Sequence, residues 1–106
     1  MPRNYSEKFL LDLHKTYDPD RTGVKLAKAC VKANLPAKYV AGAMGVTRMT
    51  VYSWFRGKPI RDKNQQIVDV FIELVEGDLQ KGILPAMSIE AAKGYIEDMI
   101  GAPLKV

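Results

Sequence analysis

Acid is what this 106-residue chain most conspicuously lacks. From Arg21 to Arg61 there are nine Lys/Arg and not one Asp or Glu. A segment of one charge sign holds no carboxylate pair and points instead towards a polyanion. Cysteine is almost as scarce. Cys30 stands alone, which excludes an internal disulfide and a cysteine-based zinc site and fits a reducing compartment. The single histidine, His14, has no second histidine to share a metal, and Cys30 suits a small core position better than a redox role. Asp18 and Asp20 flank Pro19 as a turn would, not as a metal loop. No apolar run approaches the roughly 18–20 residues of a membrane span. The polar start, Met1 to Glu7, lacks the apolar stretch of a signal peptide. The expected location is therefore the cytoplasm, near the nucleoid of a bacterial host cell. Nothing in the pattern calls for catalysis, a cofactor or a metal: there is no nucleophile–base set and no phosphate-cradling loop.

What is present is unevenly distributed. Residues 1–63 carry thirteen Lys/Arg against five Asp/Glu, whereas residues 64–106 carry three against seven. The length suits one domain, 1–106, with a modest core. Within it, 22–62 reads as a basic core unit and 63–106 as an acidic helical part for packing or dimerisation.

Helical periodicity dominates and no stretch alternates as a strand would. Ser6 caps a helix to about Thr16 with Phe9, Leu10 and Leu13 on one face, and the turn-rich Tyr17 to Gly23 ends it. A second helix is predicted from about Val24 to Ala33. It carries Lys25, Lys28 and Lys32 on one side and Leu26, Cys30 and Ala33 on the other, with Asn34 as a left-handed stop. Pro36 opens a short third helix, Ala37 to Met44, ended by Gly45. Thr47 caps a fourth that ends at Gly57. A fifth spans about Lys63 to Leu79, and Ser88 caps a sixth, Ile89 to Ile100. The predicted fold is an all-α, compact bundle of about six helices.

The third and fourth helices form a pair with a tight turn. A steep crossing needs a small residue at the contact and a turn that admits positive φ, which Ala41 and Gly45 supply. Val51, Trp54 and Phe55 share one stripe of the fourth helix, opposite Val40 and Met44, with Val46 at the corner. Gly42, inside the third helix, costs about 1 kcal/mol relative to alanine and puts its regularity in question. The other side of the fourth helix carries Met49, Tyr52, Ser53 and Arg56, with Arg48 on its leading edge. A helix fits the major groove, where arginine can donate two hydrogen bonds to guanine. A cation in the first turn also opposes the macrodipole, so Arg48 is poorly placed for stability alone.

Val40-Ala41, Met44-Gly45, Val51, Phe55 and Gly57 resemble the helix-turn-helix of the phage lambda repressor and Cro family. Thr47 to Trp54 is similar to the recognition-helix opening of many phage and bacterial regulators. The resemblance covers about residues 22–80. It implies a lambda-repressor-like domain that binds double-stranded DNA. Base edges would be read by Thr47, Arg48, Met49 and Ser53, and phosphates held by Lys38, Arg56 and Lys58. Ala37 departs from the family pattern because it has no side-chain donor, so Lys38 or a backbone N–H must serve there. Tyr52 would stack on sugar or base, or hydrogen-bond a phosphate. Lys25, Lys28, Lys32, Arg61 and Lys63 would extend the phosphate-facing surface. Six engaged phosphates would give a log–log salt slope near −5, by the usual counterion arithmetic.

The acidic part admits more than one role. Asp69, Glu73 and Glu76 form a narrow stripe on the fifth helix, and apolar residues cover more of the remainder than one core contact requires. The two last helices are expected to pack together around the first, or to pair with another copy as a homodimer. The leading expectation is a small phage or bacterial transcriptional regulator. Two alternatives stand beside it. One is the DNA-recognition subunit of a larger assembly, such as a small terminase or a recombination accessory factor. The other is a module that docks a host protein through its C-terminal helices.

Overall fold

Side-chain capping starts three of the helices, and left-handed residues end three. In a computed structural model of the chain, residues 5–104 are described, and Met1 to Asn4, part of the polar start, lie outside them. The described residues are all-helical: α1 (Glu7–Lys15), α2 (Thr22–Ala33), α3 (Ala37–Met44), α4 (Arg48–Phe55), α5 (Asp62–Gln80) and α6 (Ile89–Ile100), with no strand among them. The hydroxyls of Ser6, Thr47 and Ser88 accept from the backbone N–H three residues on, at 3.1, 3.1 and 3.0 Å, and so start α1, α4 and α6. Asn34 takes the left-handed conformation expected of it (φ 57°). Its side-chain amide also donates to the Ala86 carbonyl at 2.7 Å, while Ala86 N–H donates to Ala33 O at 2.9 Å. The α5–α6 connection is thereby pinned to the end of α2.

Two boundaries differ from expectation. The second helix starts at Thr22, so Gly23 is not the end of a turn but part of a helix. The turn before it closes early: Asp20 N–H donates to Asp18 Oδ1 at 2.9 Å and Arg21 N–H to Asp18 O at 3.2 Å. Arg21 O is then free to accept the first helical bonds. Gly23 also has a packing reason to be glycine. A Cβ there would lie 2.0 Å from the carbonyl oxygen of Trp54, so α2 rests directly on the last turn of α4. A close helix contact thus lies at Gly23, in addition to the buried Ala41. The fourth helix stops at Phe55, slightly before Gly57, because Gly57 N–H turns back to Trp54 O and Lys58 N–H to Ser53 O.

The middle of the molecule is α2 and α3. The former packs against α1, α4 and α5; the latter against α4, α5 and α6. The core between them is aliphatic, with Leu26, Leu35, Val40, Val51, Val68 and Ile96 fully buried, and the molecule as a whole measures 32 × 31 × 26 Å. An aromatic cluster closes one side. Phe9 of α1 meets Tyr52 edge-on at 5.8 Å and Phe55 at 5.9 Å, and stacks on Tyr5 at 5.4 Å. Such ring pairs add about 0.5–1.5 kcal/mol each beyond the area they bury. Helix α3 is regular despite Gly42, and the space above that glycine is taken by Leu104, whose side chain a Cβ would meet at 2.8 Å.

The last two helices do not wrap around α1. Helix α5 lies on α2 and α6 on α3, joined by the Tyr95 hydroxyl, which donates to Asp78 Oδ2 at 2.5 Å. The reason is visible in the faces they bury. Val68, Phe71 and Val75 of α5 go to the core, while Ile67, Val70 and Leu74 remain 44–47% exposed. No helix among the described residues is long and apolar enough to cross a membrane.

Candidate nucleic-acid interface

The turn before α4 aims its first residues outward. Gly45 adopts φ +69°, a conformation that costs an ordinary residue about 1–2 kcal/mol. Thr47 follows as N-cap. Its Oγ1 accepts from Thr50 N–H and also lies 2.9 Å from Thr50 Oγ1, so its hydroxyl is committed to the start of the helix. Val51, Trp54 and Phe55 then anchor α4 in the core. With that stripe buried, the helix presents Arg48 and Met49 to solvent.

Met49 is 80% exposed, the most exposed large apolar side chain described. Burying a methionine contributes roughly 1.5–3 kcal/mol, so its position on an open helix face adds nothing to the stability of the isolated chain. Arg48, Lys38, Arg56 and Lys58 are exposed as well. Among the described residues no ion pair engages any of the four; the pairs found there are Lys8 with Asp12 and Arg21 with Asp18, each at 4.0 Å. These cations are therefore open to an external anion.

Two expected site residues sit differently from the sequence reading. Tyr52 and Ser53 are half-buried, not on a fully exposed face. The ring of Tyr52 is held edge-on by Phe9 and Phe55, because α1 lies along this side of α4. The ring so packed lines a surface cleft. Ser53 Oγ donates to Met49 O at 3.1 Å and retains only acceptor capacity.

The structure groups the basic residues unevenly. Tyr52 and Arg56 line a cleft of about 430 Å³ with Ser6, Lys8, Asp12 and Tyr17, which brings the start of α1 to the end of α4. Lys58 lines a second, of about 270 Å³, with Arg21, Thr22 and Gln65. Lys8 and Arg21 are thus neighbours of the site that sequence reasoning missed. Lys8 lies outside the acid-free segment, and Arg21 had looked like a turn residue. By contrast Lys25, Lys28 and Lys32 line a depression shared with Glu76 of α5. Their field is partly offset by that carboxylate, as that of Arg56 is by Asp12 and that of Lys58 by Asp20 in their own clefts. Among the described residues no group of His, Cys, Asp and Glu could hold a metal. No family model, curated protein or solved structure matches the chain.

Proposed function

We propose that the chain is a sequence-specific double-stranded DNA-binding protein, a small transcriptional regulator of the phage or bacterial type, which reads the major groove with α4. The α3–α4 pair acts as a helix-turn-helix of the lambda repressor and Cro kind. The observation that carries this reading is the pairing of Arg48 and Met49 on the first turn of α4, exposed and without an internal partner. Arg48 offers guanine a bidentate donor, and Met49 offers a thymine methyl an apolar contact. Lys38, Arg56 and Lys58 hold phosphates and set the register, with Lys8 and Arg21 as further candidates beside them. Thr47 and Tyr52 support the reading face mainly by holding α4 in place, and Ser53 accepts from a base amino group.

The test is a fluorescence titration of the parent, Arg48→Ala and Arg56→Ala against a selected duplex and a random one. Loss of a bidentate base contact is worth about 1–3 kcal/mol, so Arg48→Ala should bind the selected duplex roughly ten- to a hundredfold more weakly and discriminate less. Arg56→Ala should weaken both duplexes alike and reduce the salt slope by about 1. If both variants bind both duplexes as the parent does, the groove-reading role is wrong.

A second reading keeps the DNA contact but makes the chain the recognition subunit of a larger assembly, such as a small terminase or a recombination accessory factor. The half-exposed apolar side chains of α5 favour it, since they fit a protein partner better than DNA. Docking of a host protein there is the corresponding reading without DNA, and its binding would survive high salt.

A further inference from the structure

Along α5, Lys63, Ile67, Val70, Leu74 and Asp78 follow one another at intervals of three or four residues. At 3.6 residues per turn they fall within about 80° of the circumference, a single stripe. Its three apolar members are 44%, 47% and 47% exposed. They form one wall of an open groove of about 190 Å³, whose other wall includes Met99 and Ile100 of α6. The acids Asp69, Glu73 and Glu76 lie about 100° or more from the centre of the stripe and do not crowd it.

The order of the stripe is cation, three apolar residues, anion, and it is symmetric about a point between Val70 and Phe71. Ile67 and Leu74 are equidistant from that point, and so are Lys63 and Asp78. We propose that α5 pairs antiparallel with α5 of a second copy of this chain, about a two-fold axis at Val70–Phe71. Each Ile67 then packs on Leu74 of the second copy. Each Lys63 meets Asp78 of the second copy at the two ends. One chain cannot make that ion pair alone. Fifteen residues at 1.5 Å rise put Lys63 and Asp78 about 22 Å apart on the same helix. A self-complementary patch of this kind is what a two-fold interface requires. A basic helix from another protein fits less well, because it would face Lys63. Asp78 remains available as a partner: the Tyr95 hydroxyl donates to one of its oxygens and leaves the other.

This pairing is independent of DNA reading and is measured without DNA, so either can fail alone. Sedimentation equilibrium on the full chain should give twice the mass of one chain. Val70→Asp, at the axis, should give the single-chain mass with unchanged helical circular dichroism. Lys63→Glu and Asp78→Lys should each raise the dissociation constant by about two- to thirtyfold, since symmetry removes two exposed ion pairs at once. The double variant K63E/D78K should return towards the parent. Tyr95→Phe, which loses the same hydrogen bond as Asp78→Lys without moving a charge, should leave the mass unchanged. A single-chain mass for the parent at its highest soluble concentration overturns the proposal and leaves the groove to a different protein. A dimer that survives Val70→Asp, or a double variant no tighter than either single, overturns the stated register.

Discussion

Replacing Gly23 with alanine isolates the contact between α2 and α4. The added Cβ would lie 2.0 Å from Trp54 O, 2.5 Å from its carbonyl carbon and 2.9 Å from its Cα. All three are backbone atoms, so no rotamer change relieves the overlap and one helix must move by more than 1 Å, on the order of a methyl group's displacement. Overpacking typically costs about 1–3 kcal/mol. A clash with rigid backbone belongs at the upper end, and the helix preference of alanine returns up to about 1 kcal/mol. The net expectation is a loss of about 2–3 kcal/mol, a large part of the roughly 5–15 kcal/mol that holds a domain folded. For a chain of this size that lowers Tm by about 9–14 °C. Trp54 O also accepts from Gly57 N–H at 2.8 Å, so displacement should loosen the end of α4 as well. Urea unfolding followed by circular dichroism and by Trp54 fluorescence reads both effects. Gly94→Ala is the control: it is helical, and a Cβ there meets nothing within 4 Å. It should gain about 0.5–1 kcal/mol. Equal responses at the two glycines, or a Gly23→Ala variant as stable as the parent, would refute the argument from close approach.

Tyr5→Phe should cost about 1–3 kcal/mol in urea unfolding, because it orphans the buried Leu35 carbonyl that the Tyr5 hydroxyl reaches at 2.5 Å. Burial raises the Tyr5 hydroxyl and the Cys30 thiol well above their usual 10.0 and 9.0, so the native state keeps protons that the unfolded chain releases. That stability is complete below about pH 9 and is lost as pH rises, first through Cys30 and then, above about pH 10, through Tyr5, at about 1.4 kcal/mol per pH unit for each. In a pH series of unfolding curves, Cys30→Ala should delay the onset by roughly one unit, the gap between those ordinary values. Thr47→Ala should cost about 1 kcal/mol by removing the cap of α4, and Thr47→Ser should restore most of it. An equal loss in the serine variant would mean that the hydroxyl is not what starts the helix.

How much could be read in advance depended on whether the signal was local. Serine, threonine, asparagine and glycine at helix ends act through bonds within a few residues, so α3 and α6 fell where their caps placed them. The buried stripe of α4 followed from its spacing in the same way. What escaped were contacts between residues far apart in the chain. Gly23 looked like a turn breaker because its reason for being glycine lies on Trp54, in another helix. Tyr5 sat in a polar stretch and showed nothing of its ring contact with Phe9 and Phe55, or of its bond to Leu35. The partial burial of Tyr52 likewise depends on where α1 lies. On α5 the excess of apolar surface was legible, but its division into a core face and an open stripe required knowing that α2 takes one side only.

Met49 and the α5 stripe are both open apolar features, and they differ in ways that separate their partners. Met49 stands on α4 beside Arg48, with Arg56 and Lys58 further along and no carboxylate in the surrounding sequence. An apolar atom in so positive a field suits a polyanion that also carries methyl groups, which the major groove of DNA provides. The α5 stripe ends in one cation and one anion, so its net field is small and its preference is for a surface of the same make-up. Screening should therefore act on them differently. Raising salt should weaken contacts made through α4 steeply, because each phosphate neutralised releases counterions. Pairing through α5 rests mainly on apolar burial and should hold over the same range. A chain whose mass in solution stays constant while its affinity for DNA falls with salt is the combined expectation. A parallel fall in both would place the two functions on one surface and undo the division of labour between α4 and α5.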